Sequence, residues 1–198
     1  MPKETRPPDS FPAPLTDEQI RAATIGELKP LSGRILIVDY DLRWPELFGR
    51  EADRIRATLG DRALRIAHAG STSVPGLAAK PIIDILLAVN NSAEESAYVP
   101  ALEAAGYVLR IREAEWHEHR MFKGPDTDIN LHVFSFGCPE IDRTLSFRDW
   151  LRGHPEDRDL YLRTKLELAA KEWKYVQNYA DAKTAVIEEI LAEIEVPL

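Results

Sequence analysis

The sequence predicts an α/β (α+β) domain: a mixed β-sheet flanked by helices, followed by a helical C-terminal part. Three observations lead there. Short apolar runs with strand character alternate with segments of helical spacing through the first two thirds of the chain. From residue 145 onward the pattern is almost wholly helical. The 198 residues, 44% of them apolar, lie in the size range of one domain and suffice for one core.

Taken in order, residues 1 to 14 hold five prolines and no hydrophobic period, which is the composition of a mobile extension. In "LTDEQIRAATIGEL" Thr16 stands as N-cap, with Glu18 and Gln19 in the first turn of a short helix. The expected division is therefore an extension with a short helix over 1–33 and a single domain over 34–198. "RILIVDY" (34–40) is a strand candidate. "PELFGREADRIRATLG" (45–60) opens on Pro45, spaces Leu47, Phe48, Ile55 and Leu59 as a helix does, and reaches Gly60 where a stop is expected.

"ALRIAHAG" (63–70) and "PIIDILLAV" (81–89) read as strands, and "YVPALEAAGY" (98–107) as a helix ending near Gly106. "YVLRIRE", "HRMFKG" and "DINLHVFSF" continue the sheet. The last alternates Ile129, Leu131 and Val133 with Asp128, Asn130 and His132, so one strand face is apolar and the other polar. From "LSFRDWLRGHP" onward the pattern turns helical, and the segments 156–173 and 180–194 contain no glycine or proline to break them.

Charge narrows the function. Lys and Arg number 25 against 33 Asp and Glu, a net charge of −8, which is the wrong sign for a surface that neutralises a duplex backbone. Nucleic acid is accordingly not an expected partner. The single Cys138 has no internal disulfide partner, the first residues lack the apolar stretch of a secretory signal, and no run approaches the ~20 apolar residues of a membrane span. A cytoplasmic protein with no membrane partner is expected.

The segment richest in chemistry is "AHAGSTSVPGLAAKPIIDILLAV" (67–89). A glycine at a tight strand exit lets backbone N–H groups approach an anion, and Ser71, Thr72 and Ser73 add hydroxyl donors. "GLAAK" (76–80) is read as a short helix that brings the chain back to the strand. Asp84, the one acid in the apolar run, would then emerge beside the turn and hold a divalent cation against a phosphate chain. The alternative is a serine-rich loop before a core strand, with Asp84 accepting backbone bonds. No P-loop, dinucleotide fingerprint or nucleophile elbow is present.

"HAGSTSVPGLAAKPIIDI" resembles the hallmark segment of the GrpB-like family, a branch of the nucleotidyltransferase superfamily to which DNA polymerase beta belongs. "VDYDLRWPELF", "LHVF", "LSFRDWLRGHP", "YLRTKLELA" and "YADAKTAVI" resemble its other blocks in order, over about residues 35 to 195. The resemblance implies that Gly70 and Ser71 form the superfamily's phosphate-binding turn, with Asp84 as its first metal-binding acid. The second acid position is Leu86, which cannot ligate a cation. Asp128 is a candidate third acid, and His132 matches the "LHV" block and ranks above it.

The implied activity is binding of a nucleoside triphosphate with Mg²⁺ and transfer of a nucleotidyl group to a small-molecule or protein acceptor not named by the sequence. Asp84, His132 and Asp128 are the candidate catalytic residues, and Asp84 and Asp128 the candidate metal ligands. Gly70, Ser71, Thr72, Ser73, Lys80, Arg120, Lys165 and Lys183 are the candidate phosphate contacts. The alternative is a non-catalytic module for a nucleotide or another phosphorylated small molecule, which Leu86 favours.

Remaining constellations have two readings each. Glu115, His117 and His119 alternate, as metal ligands on one strand face or as a solvated edge. Arg120 contacts phosphate or sits in a surface ion pair. Tyr161 with Lys165 and Tyr179 with Lys183 share a helix face, as anion-binding pairs or as tyrosines that pack while lysines snorkel. Arg148 and Arg152 read as a salt-bridged surface helix, and Cys138 as packing.

Overall fold

The structure, a computed structural model, describes residues 13–195. Among these, strands β1 (Arg65–Ala69), β2 (Ile83–Val89), β3 (Val108–Glu113), β4 (His119–Lys123) and β5 (Ile129–Ser135) form one sheet in the order β1-β2-β5-β4-β3. The central pair β2 and β5 is parallel and the other pairs are antiparallel. The sheet is thus mixed, as the interleaved pattern predicts. In its central register Asp84 lies opposite Asn130 and Leu86 opposite His132.

Period-two alternation decides what each face does. Ile83, Ile85 and Leu87 of β2 and Ile129, Leu131 and Val133 of β5 all point to one face and are buried. Helices α2 (Trp44–Leu59) and α3 (Val99–Ala104), which follow α1 (Asp17–Ala23), cover that face through Trp44, Ile55, Leu59, Val99 and Leu102. Pro45 lies in the first turn of α2, and Gly60 caps its end at φ 56°. This face holds the main hydrophobic core, and at about 25 cal/mol per Å² of apolar surface removed from water its burial stabilises the sheet against the helices.

The other face carries Asp84, Leu86, Asn130, His132 and Phe134. Helix α4 (Pro139–Gly153) covers part of it, packing Ile141 and Leu145 on Leu86, Ala88 and Phe134. Helices α5 (Pro155–Ala169), α6 (Val176–Asp181) and α7 (Thr184–Glu195) complete the helical part. They bury Val74 and Leu77 of the loop after β1 among Leu151, Tyr161, Val186 and Ile190. The site-bearing face is therefore only partly roofed. No helix among the described residues is long and apolar enough to cross a membrane.

Three local expectations change. "RILIVDY" is not a strand: it makes a single bridge, Val38 to Ala79. Its apolar residues diverge, with Ile35 packed on Leu168, Ala169 and Tyr179, Leu36 exposed, and Val38 and Tyr40 against the main core. "GLAAK" is not a helix, because Gly76 takes a left-handed φ of 78° and Pro81 disfavours a helical Lys80. The helical turn of this connection lies earlier, as a single 3₁₀ turn at Ser71–Ser73, and 76–80 is irregular apart from the bridge at Ala79. The helical pattern over 180–194 breaks at Ala182 and Lys183, which form the turn between α6 and α7.

The short helix at Asp17–Ala23 has the expected Thr16 cap, with Gln19 closing a capping box. Residues 13–33 lie along the domain: Ile20 is buried, Thr24 bridges Ile111, and the Leu31 N–H donates to the Lys174 carbonyl. The proline-rich residues 1–12 lie outside the described residues.

Candidate functional site

The site forms where β1 ends and β2 begins. Gly70 leaves β1 at φ 64°, a left-handed conformation that suits glycine. Its missing side chain matters equally, since a Cβ there would run into the Asp84 carboxylate. The turn and the acid therefore pack directly against each other. Asp84 accepts a hydrogen bond from the Asn130 side-chain amide at 2.8 Å, and its Oδ1 lies 3.7 Å from His132 Nε2. Burial pushes its carboxyl up, but His132 when its ring carries a proton on Nε2, the Asn130 amide and the Lys80 ammonium outweigh that and hold it below the ordinary value.

Three lysines converge on this turn. Lys165 of α5 is buried and donates to Ser71 Oγ at 3.1 Å and to the Ala78 carbonyl at 2.5 Å, with the Tyr161 ring 5.0 Å from its Nζ. Burial, with Lys183 nearby, pushes it down to about 7. Lys80 and Lys183 lie over the Tyr179 ring, at 5.5 and 5.1 Å from its centroid. Burial and then Lys183 bring Lys80 down to about 8, and burial lowers Lys183 despite Asp84 and Asp181. Desolvated ammonium groups that repel one another form a set that an anion would relieve. Beside Gly70 and Ser71 opens a cleft of about 170 Å³, lined by Val74, Phe147, Leu151, Tyr161, Arg143 and Arg148.

The structure brings Gly70, Ser71, Lys80, Asp84, His132, Lys165 and Lys183 to one neighbourhood, and redirects the other candidates. Thr72 is buried, its hydroxyl 3.0 Å from His68 Nε2 and bonded to the Ile82 carbonyl. Ser73 Oγ donates back to the Gly70 carbonyl at 2.5 Å. Both hydroxyls hold the turn closed and are not aimed at a ligand. Asp128, just before β5, is exposed and pairs with Lys123 at 3.1 Å. Arg120 pairs with Val133 across the strands, so it points to the opposite sheet face, where it binds Glu95 at 2.5 Å.

Glu115 and His117 lie in the β3–β4 turn, off any strand, while His119 alone enters β4 and is buried. The three thus share no strand face. Arg148 and Arg152 both pair with Asp149, and they also clamp the loop by donating to the carbonyls of His68 and Ser73.

The donor set does not suit a pair of Mg²⁺ ions. Two-metal sites need several carboxylates, and here one carboxylate faces an amide, an imidazole and two ammonium groups, those of Lys80 and Lys183, with Leu86 at the second acid position. No group of three or more His, Cys, Asp or Glu placed to hold a metal ion occurs among the described residues. Asn130 and Glu113 escape the sequence reading as site residues. The available signal was parity, because Asn130 and His132 alternate with the core residues of β5, and Glu113 faces His119 across the hairpin.

Comparison with known proteins agrees with this architecture. The chain is 62% identical over 178 residues to UPF0157 protein BH1888 of Halalkalibacterium halodurans, covering 90% of this chain and 91% of that one. It is 32% identical over 157 residues to a protein named dephospho-CoA kinase from Mycolicibacterium paratuberculosis, covering 66% of this chain but only 39% of that longer one. The crystal structure of conserved protein GrpB from Enterococcus faecalis superposes with a TM-score of 0.69 at 31% identity, covering 80% of this chain and 99% of that one. The family model described as GrpB protein matches residues 34–193, and with the fold and the glycine-serine turn in place, the chain belongs to the GrpB family.

Proposed function

We propose that this protein binds the phosphate groups of a nucleotide or another phosphorylated small molecule at the Gly70-Ser71 turn, with lysines in place of a metal pair offsetting the charge. The carrying observation is Lys165: a buried ammonium donating to Ser71 Oγ, with Lys183 close enough to lower it. Burying unpaired cations is costly without a function, and a phosphate chain would neutralise them. The apolar and aromatic walls of the adjoining cleft suit the rest of a nucleotide.

A second reading has its own support. His132 stands 3.7 Å from the single carboxylate, where an imidazole can take a proton from an acceptor hydroxyl. This favours transfer of a nucleotidyl or phosphoryl group over binding alone, in keeping with the resemblance to nucleotidyltransferases.

The test is thermal unfolding of the full chain with inorganic triphosphate and each common nucleoside triphosphate, with Mg²⁺ and with a chelator, for wild type and Lys165→Met. A ligand at ~100 times its Kd stabilises by about 2.7 kcal/mol, which for this size moves Tm by about 5–10 °C. A shift in wild type that survives the chelator and vanishes in Lys165→Met is expected. No shift with any of these ligands overturns the reading.

A further inference from the structure

We infer that Glu113 and His119 are positioning residues that fix His132 in one tautomer, with its proton on Nδ1 and a bare, proton-accepting Nε2 turned toward Asp84. The inference rests on the transfer reading above and names the atom that would take the proton. It is built from a chain of contacts across three strands. Glu113 Oε2 lies 2.7 Å from His119 Nδ1, and His119 Nε2 lies 3.0 Å from His132 Nδ1. His132 Nε2 is the remaining nitrogen, 3.7 Å from Asp84 Oδ1.

The donors in this chain follow from what each group is able to do. A carboxylate accepts and does not donate, so the hydrogen between Glu113 and His119 belongs to His119 Nδ1. His119 is almost fully buried, and burial brings it down to about 4, so near neutrality the ring is uncharged and its Nε2 carries a lone pair. That lone pair accepts from His132, which places a hydrogen on His132 Nδ1 and leaves Nε2 of the neutral ring without one.

The surroundings hold the arrangement rigidly. Glu113 is the direct cross-strand partner of His119, and the His119 ring stacks on His132 at 5.1 Å and on Phe134 at 4.7 Å, with the Trp116 edge 5.3 Å away. The turn that delivers His119 puts two consecutive non-glycine residues, His117 and Glu118, at φ 51° and 50°. Left-handed residues of this kind are strained and persist where the surrounding structure enforces them. Arg120 supplies part of that enforcement, donating to the carbonyls of Glu118 and His119 while paired with Glu95. Arg120 therefore serves the site from the opposite sheet face.

In the transfer step, the hydroxyl O–H bond of an acceptor breaks and its proton bonds to His132 Nε2. The oxygen keeps the electron pair and forms the new bond to phosphorus, while the bond from phosphorus to the leaving phosphate breaks with its pair on that group. The imidazolium formed is met by Asp84 at Nε2 and by His119 at Nδ1. The charged groups near His132 are Asp84 and Glu140 of α4, and the Asn130 amide is occupied with Asp84.

The experiment is imidazole nitrogen NMR on the ¹⁵N-labelled full chain without ligand, with His132 and His119 assigned from His132→Gln and His119→Phe. In wild type at pH 7.5, each ring in its neutral form is expected to carry the proton on Nδ1. In His119→Phe, which keeps an aromatic ring in the stack, and in Glu113→Ala, His132 is expected to lose its single tautomer, whereas Glu113→Gln retains it because the amide oxygen still accepts. A wild-type His132 protonated on Nε2 overturns the inference, as does a tautomer that neither variant alters. The wild-type spectrum tests the tautomer itself, and the two independent variants test its cause, so that one of them failing to fold leaves the other to decide. Phosphate binding is not involved, so failure of the binding proposal is seen separately.

Discussion

Gly70 and Asp84 are packed so closely that the space a Cβ would take on Gly70 is filled by the Asp84 carboxylate. The glycine-serine turn and the only acid on the site face of β2 are thereby one mechanical unit. Gly70→Ala must both strain a residue held at φ 64° and displace Asp84 from Asn130. We expect a loss of about 3 kcal/mol from backbone strain and overpacking together, which is about 6–12 °C in Tm for a chain of this size. Thermal denaturation measures it; a Tm within about 2 °C of wild type would show the contact to be slack.

Lys165 predicts a pH dependence of both binding and stability. With the folded lysine near 7 and an unfolded lysine at its ordinary value of 10.5, the unfolded chain binds more protons between those limits. Stability relative to Lys165→Met should therefore rise with pH from about 7 toward 10, the slope following from proton linkage. Anion affinity should run the other way and weaken as pH rises above 7, with net proton uptake on binding near pH 7.5. Calorimetry in buffers of different ionisation enthalpy reads that uptake directly.

Asp84→Asn separates lysine-based binding from metal-based binding. With the ammonium groups binding the anion, removing a nearby negative charge should leave inorganic triphosphate affinity unchanged or raise it several-fold, and a chelator should make no difference. An affinity at least ten-fold weaker in the variant, seen only with Mg²⁺ present, would restore a metal role for Asp84.

The two buried histidines make the fold acid-sensitive. Burial brings His68, stacked on Phe48 at 4.7 Å, down to about 4, as it does His119. A histidine whose folded value is depressed binds protons more readily when unfolded, so stability falls as pH drops from 6.5 toward 4. At about 1.4 kcal/mol per pKa unit, each accounts for on the order of 3 kcal/mol. Denaturant titrations at pH 7 and 4.5 should show the loss, and His68→Phe should remove part of it.

A buried ion pair on the other face gives a further check. Arg120 is nearly inaccessible, and Glu95 is its carboxylate partner. Glu95→Ala leaves that charge uncompensated and should cost about 3–5 kcal/mol. It should also loosen the His117–Glu118 turn, which hydrogen exchange at His119 would report.

By itself the sequence marked strands over 63–70, 81–89, 107–113, 119–124 and 128–136, within which β1 to β5 form, and the long helices, because period-two and helical spacing of apolar residues are local properties of the chain. It also marked the glycine-serine turn and Asp84, since an acid in an apolar run and a glycine at a strand exit stand out without neighbours. What it left undecided were questions of partner. "RILIVDY" has strand composition, yet its apolar residues are drawn to two different clusters, with Leu36 left in solvent. Thr72, Ser73 and Arg120 have the chemistry to bind phosphate, yet a backbone carbonyl, the turn itself and Glu95 claim them. Glu113, His119 and His132 lie on three different strands and become one hydrogen-bonded row only through the strand order β5-β4-β3. Hydrogen-bond donors and acceptors are satisfied by whatever the fold brings within 3 Å, so side-chain roles at this site are set by strand register and packing rather than by residue type.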